Sequence, residues 1–334
     1  MTVKVGINGF GRIGRMILRS IVENNRKDIE VVAINNKGNP EVSSFLLKHD
    51  TIHGKLEAKI NHSNQSIEIN GKKIAIINEK EIAKIDWKKH KVDIVLECTG
   101  KFNTKEKSEE HISSGAKKVL VSAPCKNATN IIFGVNHKNL KSADKVISAA
   151  SCTTNCIAPI AKVLNENFGI ERGFMTTIHS YTSDQRLLDN SHKDLRRARS
   201  APNALVPTST GATKSLGDVI PELKGKVEGI SIRVPTPNVS LVEFVFSAKQ
   251  NLSAEKINNS FSKASKSELK NILDINNEQL VSSDFNHNPH SAIIDMSLTK
   301  VTDGKMGKVS AWYDNEWGYA NRMCDLAVYF GNTN

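Results

Sequence analysis

Val3-Lys4-Val5-Gly6-Ile7-Asn8-Gly9-Phe10-Gly11-Arg12-Ile13-Gly14 is the stretch whose reading decides the fold. Val3–Ile7 is a short β-branched run, the pattern of a buried strand. Gly9, Gly11 and Gly14 follow it in the order G-x-G-x-x-G, and a helical pattern runs on from Gly11 to Asn24. In that spacing the first glycine permits a tight turn. The second lets backbone approach a pyrophosphate, and the third lets helix pack closely on strand. The helix then points its unpaired N–H groups at the phosphates. A lone glycine fingerprint is weak, but one set between a strand and an amphipathic helix reads as a dinucleotide site.

Outward from this unit, the first half alternates short apolar runs with helical patterns, as a parallel sheet built from βαβ units requires. Candidate strands are Val3–Ile7, Ile29–Ile34, Asp93–Glu97, Lys118–Ser122, Ile131–Phe133 and Lys145–Ser148, with helices at Gly11–Asn24 and Glu106–Ser114. Ile67–Ile69 and Lys73–Ile77, joined across Asn70-Gly71, read as an antiparallel hairpin. The second half changes character. A helix from Cys152 to Phe168 precedes longer strands at Met175–Thr182, Lys226–Val234, Ser240–Phe246 and Lys308–Tyr313, and Tyr319–Phe330 reads as a closing helix. The expected class is α/β: a Rossmann-type domain over residues 1–150, then an α+β domain with a large, mostly antiparallel sheet over 151–316. Residues 317–334 form a helix returning to the first domain. The stretch from Thr182 to Pro207 is polar, basic and weakly periodic, and a loop of that length is usually functional or buried at an interface.

Composition narrows the function classes. The chain has 334 residues, long enough for two domains. No apolar run approaches the ~20 residues that span a bilayer, and the start has no signal-peptide pattern, so a cytoplasmic location is expected. Five scattered cysteines make neither a disulfide framework nor paired CxxC motifs, and no metal is expected. The net charge of +11 is spread along the chain without basic-aromatic interleaving. It reads first as a lysine-rich surface, then as attraction for anionic ligands, and last as nucleic-acid binding.

Two places carry chemistry. The second strand of a dinucleotide fold commonly ends in a carboxylate that grips the ribose. Here the run Val31-Val32-Ala33-Ile34-Asn35-Asn36 ends neutral, with Lys37 and Lys80 as nearby cations. Asn36 suits a ribose hydroxyl, and it also spares a 2′-phosphate the repulsion of a carboxylate, so NAD and NADP both remain open. The second place is Ala149-Ala150-Ser151-Cys152-Thr153-Thr154-Asn155-Cys156. A small-residue turn delivers Cys152 to a helix start, where unpaired N–H groups favour a thiolate. Any further activation needs a base or cation, and His179, one of ten histidines, is the candidate. Cys156, one turn on, reads as a small buried hydrophobe.

Six motifs in order resemble phosphorylating glyceraldehyde-3-phosphate dehydrogenases over residues 2–330. They are Asn8–Gly14, Ser151–Cys156, His179–Thr182, Pro207–Ala212, Arg233–Val239 and Trp312–Tyr319. The resemblance implies that Cys152 attacks an aldehyde, that His179 manages the proton, and that inorganic phosphate cleaves the resulting thioester. It further implies that Arg12 and Ile13 meet the pyrophosphate, that Ser122 and Lys80 lie along the cofactor, and that Asn315 orients the nicotinamide carboxamide. Thr182 and Arg233, with Arg197, are the implied holders of phosphate groups. Ser151, Thr153, Thr210 and Gly211 are implied around the attacking phosphate. The Thr182–Pro207 segment is implied to reach a neighbouring subunit in a homotetramer.

The chain departs from the common NAD-using members at two positions. Asn36 stands where they carry aspartate, and Asn190-Ser191 stands where they carry Leu-Pro. The second departure is similar to an NADP-accepting branch in which the serine meets the 2′-phosphate, so NADP acceptance is expected. The competing expectations are an erythrose-4-phosphate dehydrogenase with the same Cys–His chemistry, and a silent nucleic-acid-binding or scaffold protein on the same fold.

Overall fold

The run Val3–Asn8 is the middle strand of a nine-stranded sheet in a computed structural model that describes residues 2–333. Gly6 is required there, because a Cβ on it would stand 2.6 Å from the Trp87 ring beneath the sheet. Strand order is Thr129–Asn130, Val146–Ser148, Lys118–Val121, Ile94–Glu97, Val3–Asn8, Ile29–Asn35, Lys72–Ile77, Ser66–Ile69 and Ile60–Ser63. The first seven are parallel, and the last two pairings are antiparallel. The Asn70-Gly71 hairpin forms because both residues hold left-handed φ, 50° and 82°, which matches the twist of paired strands.

The chain divides into two compact units. One contains everything up to Phe133, together with His137–Ala150 and the chain from Ala320 onward. Within it, Asn321 accepts from Ser20 at 2.9 Å, Asp325 pairs with Arg26, and the Lys118 ammonium donates to the Phe330 carbonyl at 2.7 Å. Burial lowers the Lys118 pKa.

The other unit holds Gly134–Asn136 and Ser151–Tyr319. Its sheet has eight strands. The main path is Val206–Thr208, Val227–Val234, Ile170–Ser180, Ser240–Ala248, Met306–Tyr313, Ala292–Asp295 and Leu273–Asn276, with Lys300–Thr302 on the side. Two pairings are parallel and the rest antiparallel, so the sheet is mixed but mostly antiparallel. Parallel pairing of Ile170–Ser180 with Val227–Val234 sets His179 directly opposite Arg233. The helix Cys152–Phe168 is buried along most of its length and ends at Gly169, whose φ of 69° closes it. These two sheets match the expected class.

Several expected elements need correction. Ile131–Phe133 is not a strand. The ladder stops after Thr129–Asn130, with Ile131 N–H bonded to the Ser148 carbonyl at 2.8 Å. Ile131 and Ile132 are apolar because they pack into the core as a loop. The strand expected from Met175 begins at Ile170 and ends at Ser180. Helices Pro40–Lys48, Ala212–Val219 and Ala254–Lys266, and the strand Ile60–Ser63, were not anticipated.

Candidate active site

In the first unit a cavity of about 270 Å³ opens at the carboxyl ends of Val3–Asn8 and Ile29–Asn35. The three glycines shape it. Gly9 has φ 95° and would place a Cβ 2.8 Å from Thr99. A Cβ on Gly14 would strike the Gly9 carbonyl oxygen at 2.3 Å. At Gly11, the N-cap of Arg12–Glu23, a Cβ would meet nothing within 4 Å, so bare backbone faces open space at a helix start. That is the cradle a pyrophosphate needs, and Lys37, Lys80 and Lys101 add positive charge to its lining.

Asn36 lines the same cavity, and its Nδ2 donates to the Ser43 hydroxyl at 3.0 Å. Arg12 is engaged by Asp50, with Nη2 to Oδ1 at 3.2 Å. Burial pushes the Asp50 carboxyl up, but Arg12 and the His53 and Ile52 N–H groups prevail and hold its pKa at about 2. Ile13 follows Arg12 in the first turn and is half-buried. The Ser122 N–H donates to the Glu97 carbonyl.

In the second unit Ser151 caps the helix that begins at Cys152, its hydroxyl accepting from Thr154 N–H at 3.0 Å. Ala150, with φ 52°, precedes the cap. The Cys152 sulfur lies 3.4 Å from His179 Nε2. The other ring nitrogen, Nδ1, lies 2.6 Å from the Ser180 carbonyl. That carbonyl can only accept and Arg233 can only donate, so the two place opposite demands on Nδ1; with the proton on Nδ1, Nε2 is left to accept from the thiol. Arg233 Nη1 stands 2.8 Å from the same Nδ1 and donates to the same carbonyl at 3.0 Å. Burial, followed by the Arg233 charge, lowers the His179 pKa to about 3, so the ring is neutral at ordinary pH.

The helix terminus does not by itself make Cys152 a thiolate. Burial raises its pKa more strongly than Arg233 and the Thr153 and Cys152 N–H groups lower it. The free thiol is therefore favoured in this geometry, and the imidazole at 3.4 Å is the acceptor available to it. Cys156 is fully buried, and burial drives its thiol far up.

The other expected residues make contacts of their own. Thr153 shares a hydrogen bond of 3.0 Å with the Tyr313 hydroxyl. Thr182 donates through both N–H and hydroxyl to Gln185 Oε1, at 2.7 and 3.0 Å. Arg197 is held by Asp184 and the Thr208 hydroxyl, each at 2.7 Å. Thr210 accepts from Ala212 N–H at 3.2 Å, and Gly211, with open space at its Cβ position, is the N-cap of Ala212–Val219. Ser191 is exposed, with its N–H bonded to its neighbour Asn190 at 2.7 Å. The long segment after Thr182 is held by its own ion pairs, such as Asp189 with Arg199, and exposes Leu187, Leu188, Leu195 and Leu205.

Sequence reasoning missed Ser240, Gln185 and Glu97. The Ser240 hydroxyl accepts from Ser180 N–H at 3.1 Å and donates to Asn315 Oδ1 at 2.8 Å. Only Glu97 left a readable signal, an acidic residue closing the apolar strand Ile94-Val95-Leu96. Among the described residues no helix is long and apolar enough to cross a membrane, and no cluster of three His, Cys, Asp or Glu could hold a metal ion.

Comparison with known proteins matches both units. A family profile described as the NAD binding domain of glyceraldehyde 3-phosphate dehydrogenase covers residues 3–105, and one described as its C-terminal domain covers residues 151–315. The first match makes the cofactor a nicotinamide dinucleotide. A glyceraldehyde-3-phosphate dehydrogenase of Cereibacter sphaeroides is 52% identical over 332 residues, 99% of each chain. Glyceraldehyde-3-phosphate dehydrogenase 2 of Bacillus subtilis is 50% identical over 328 residues, 98% of this chain and 96% of the other. That of Geobacillus stearothermophilus is 50% identical over 334 residues, 99% of each. With this identity sustained from end to end, the chain belongs to the glyceraldehyde 3-phosphate dehydrogenase family.

Proposed function

We propose that the chain catalyses the phosphorylating oxidation of D-glyceraldehyde 3-phosphate to 1,3-bisphosphoglycerate, with Cys152 as nucleophile and His179 as base. The observation that carries this is the 3.4 Å approach of the Cys152 sulfur to His179 Nε2, in a ring whose other nitrogen lies 2.6 Å from the Ser180 carbonyl. His179 accepts the thiol proton as sulfur adds to the aldehyde carbon and returns it to the oxyanion formed, giving a hemithioacetal. It then takes the hydroxyl proton as the carbon loses hydrogen with its electron pair, leaving a thioester on Cys152. The dinucleotide, when bound, supplies the acceptor for that hydrogen. A phosphate oxygen next adds to the thioester, the C–S bond breaks, and the acyl phosphate leaves with Cys152 returned as thiolate.

Cys152 N–H and His179 act on the developing oxyanion. Thr182, Arg197 and Arg233 are the donors for substrate phosphate, with Ser151, Thr153, Thr210 and Gly211 around the attacking phosphate. Gly9, Gly11, Arg12, Ile13 and Gly14 receive the pyrophosphate, Lys80 and Ser122 flank the cofactor, and Asn315 orients its carboxamide. Residues 1–150 serve cofactor binding and 151–316 catalysis, with 317–334 completing the first domain. NADP is accepted beside NAD, because Asn36 adds no negative charge and Ser191 offers a hydroxyl. The enzyme works in the cytoplasm as a homotetramer. Support for the tetramer comes from four leucines between residues 187 and 205 that are 69–82% exposed, an apolar surface that a partner would cover.

The relatives' names favour this substrate over erythrose 4-phosphate and over a silent scaffold. A spectrophotometric assay with both aldehydes and both cofactors, at varied phosphate, tests the reading. Cys152→Ser is expected to lose more than about 10³-fold in turnover and His179→Asn about 10²–10⁴-fold. Turnover surviving the serine substitution, or indifferent to phosphate, would overturn it.

A further inference from the structure

We infer that Glu97 is the positioning residue of the dinucleotide cleft, its buried carboxylate holding Thr99 and the Gly9 turn in the geometry that receives a pyrophosphate. The inference rests on the dinucleotide reading of that cleft.

Counting donors and acceptors gives the charge state of the group. Glu97 Oε2 lies 2.6 Å from Asn8 Nδ2 and 3.1 Å from His111 Nε2. Oε1 accepts from Thr99 N–H at 2.7 Å and from the Thr99 hydroxyl. The Trp87 indole, which can only donate, lies 3.0 Å from His111 Nδ1. Nδ1 must then accept, so the single ring proton sits on Nε2 and points at Glu97. Four donors converge, which is the capacity of a carboxylate, and a protonated acid would bring a fifth hydrogen with no acceptor. Glu97 is 1% exposed, and among the described residues no lysine or arginine pairs with it. Its charge is sustained by oriented neutral donors alone.

That hold extends to the cleft through backbone register. Asn8 lies opposite Glu97 on one side and Asn35 on the other. Asn35 Nδ2 donates to Asn8 Oδ1 at 2.8 Å, so one network ties the ends of three parallel strands. Gly9 follows Asn8, and its α-carbon rests against Thr99 so closely that a Cβ would stand 2.8 Å from both Thr99 Cγ2 and Thr99 N. Thr99 is thus the wall behind the phosphate-facing turn, and Glu97 fixes it by both of its donors. Asn8, Gly9 and Thr99 all line the cavity.

Glu97→Gln replaces one oxygen by an NH₂ that faces two donors whichever way the amide turns, while shape is kept. Trp87→Phe keeps a buried ring but removes the proton that fixes the His111 tautomer. The test is calorimetric titration of the full chain with NAD and with ADP-ribose, alongside melting temperature and the rate of Cys152 alkylation by iodoacetamide. For Glu97→Gln both ligands are expected to weaken by about tenfold or more, and for Trp87→Phe by about threefold. Alkylation should stay within about twofold of the parent rate, since the thiol's own partners are untouched. A folded Glu97→Gln protein that binds NAD as the parent does overturns the inference, as does a loss matched by an equal change in alkylation, which marks a general defect. If Glu97→Gln does not fold, Trp87→Phe decides by the same criteria. A parent protein that binds neither NAD nor ADP-ribose would instead sink the dinucleotide reading itself.

Discussion

Arg233 Nη1 stands 2.8 Å from His179 Nδ1 while the opposite nitrogen of that ring faces the Cys152 sulfur at 3.4 Å. One positive charge therefore acts on both members of the pair. It lowers the histidine pKa, and it opposes the upward push of burial on the thiol.

Arg233→Met should move these two groups in opposite ways. The His179 pKa is expected to rise toward its ordinary value, while the Cys152 pKa rises further because its stabilising cation is gone. The pH profile of iodoacetamide alkylation reads the second change. Its upper inflection should move to higher pH, with a slower rate at pH 7. An unchanged profile in a folded variant would mean that Arg233 does not reach the sulfur electrostatically.

Asn36→Asp should turn cofactor choice toward NAD. A carboxylate there repels a 2′-phosphate and accepts from ribose hydroxyls. The ratio of kcat/KM for NADP over NAD is expected to fall by about tenfold or more. A parent enzyme that already prefers NAD by about 100-fold would show that neither Asn36 nor Ser191 serves the 2′-phosphate.

Ser240→Ala tests the orientation of Asn315. The Ser240 hydroxyl has one proton, and Asn315 Oδ1 receives it. That contact turns the amide Nδ2 the other way, which the proposed role of Asn315 requires of a donor to a carboxamide oxygen. Without it the amide is free to rotate, so the affinity for NAD should fall about three- to tenfold while ADP-ribose, which lacks the ring, is unaffected. Ser240→Thr, which keeps the hydroxyl, should restore NAD binding. Equal weakening of both ligands would point to general damage.

Acid should unfold the protein partly through His179 and Asp50. The His179 pKa falls from 6.5 to about 3 on folding, so below pH 6.5 the unfolded chain binds a proton that the folded one refuses. Stability is lost as pH drops from 6.5 toward 3. Asp50, held at about 2 against an ordinary 3.8, adds stability that is present above 3.8 and lost as pH falls through 2. Denaturant titrations of His179→Gln across pH 3–7 should show a shallower decline than the parent. A parallel decline would assign the acid sensitivity elsewhere.

The parts legible in the sequence were those set by local chemistry. Gly9 and Gly14 announce their turn because only glycine fits there, and Gly11 completes the spacing. Asn70-Gly71 announces its hairpin, and Ser151 announces the helix it caps. What stayed hidden depends on register between distant strands. His179 meets Arg233 because two parallel strands align them, and Ser240 meets Asn315 across antiparallel partners. Ile131–Phe133 misled because a buried loop and a buried strand share one apolar signature. The effect of burial on Cys152 was likewise invisible, since a helix terminus can be read from sequence but desolvation cannot.

Val239 holds φ 65°, a left-handed backbone that a β-branched side chain strongly resists. Its carbonyl is pinned by the Ser180 hydroxyl at 2.7 Å, and its side chain packs with Phe285 and Ile293. This turn lies immediately before Ser240, so the backbone beside the reacting pair behaves as a compressed spring kept shut by a single hydroxyl. Glycine at 239 would relax the spring and empty its apolar seat, and larger residues would fit neither demand. Tolerance to substitution should accordingly be narrow at Val239, for reasons of backbone shape and packing.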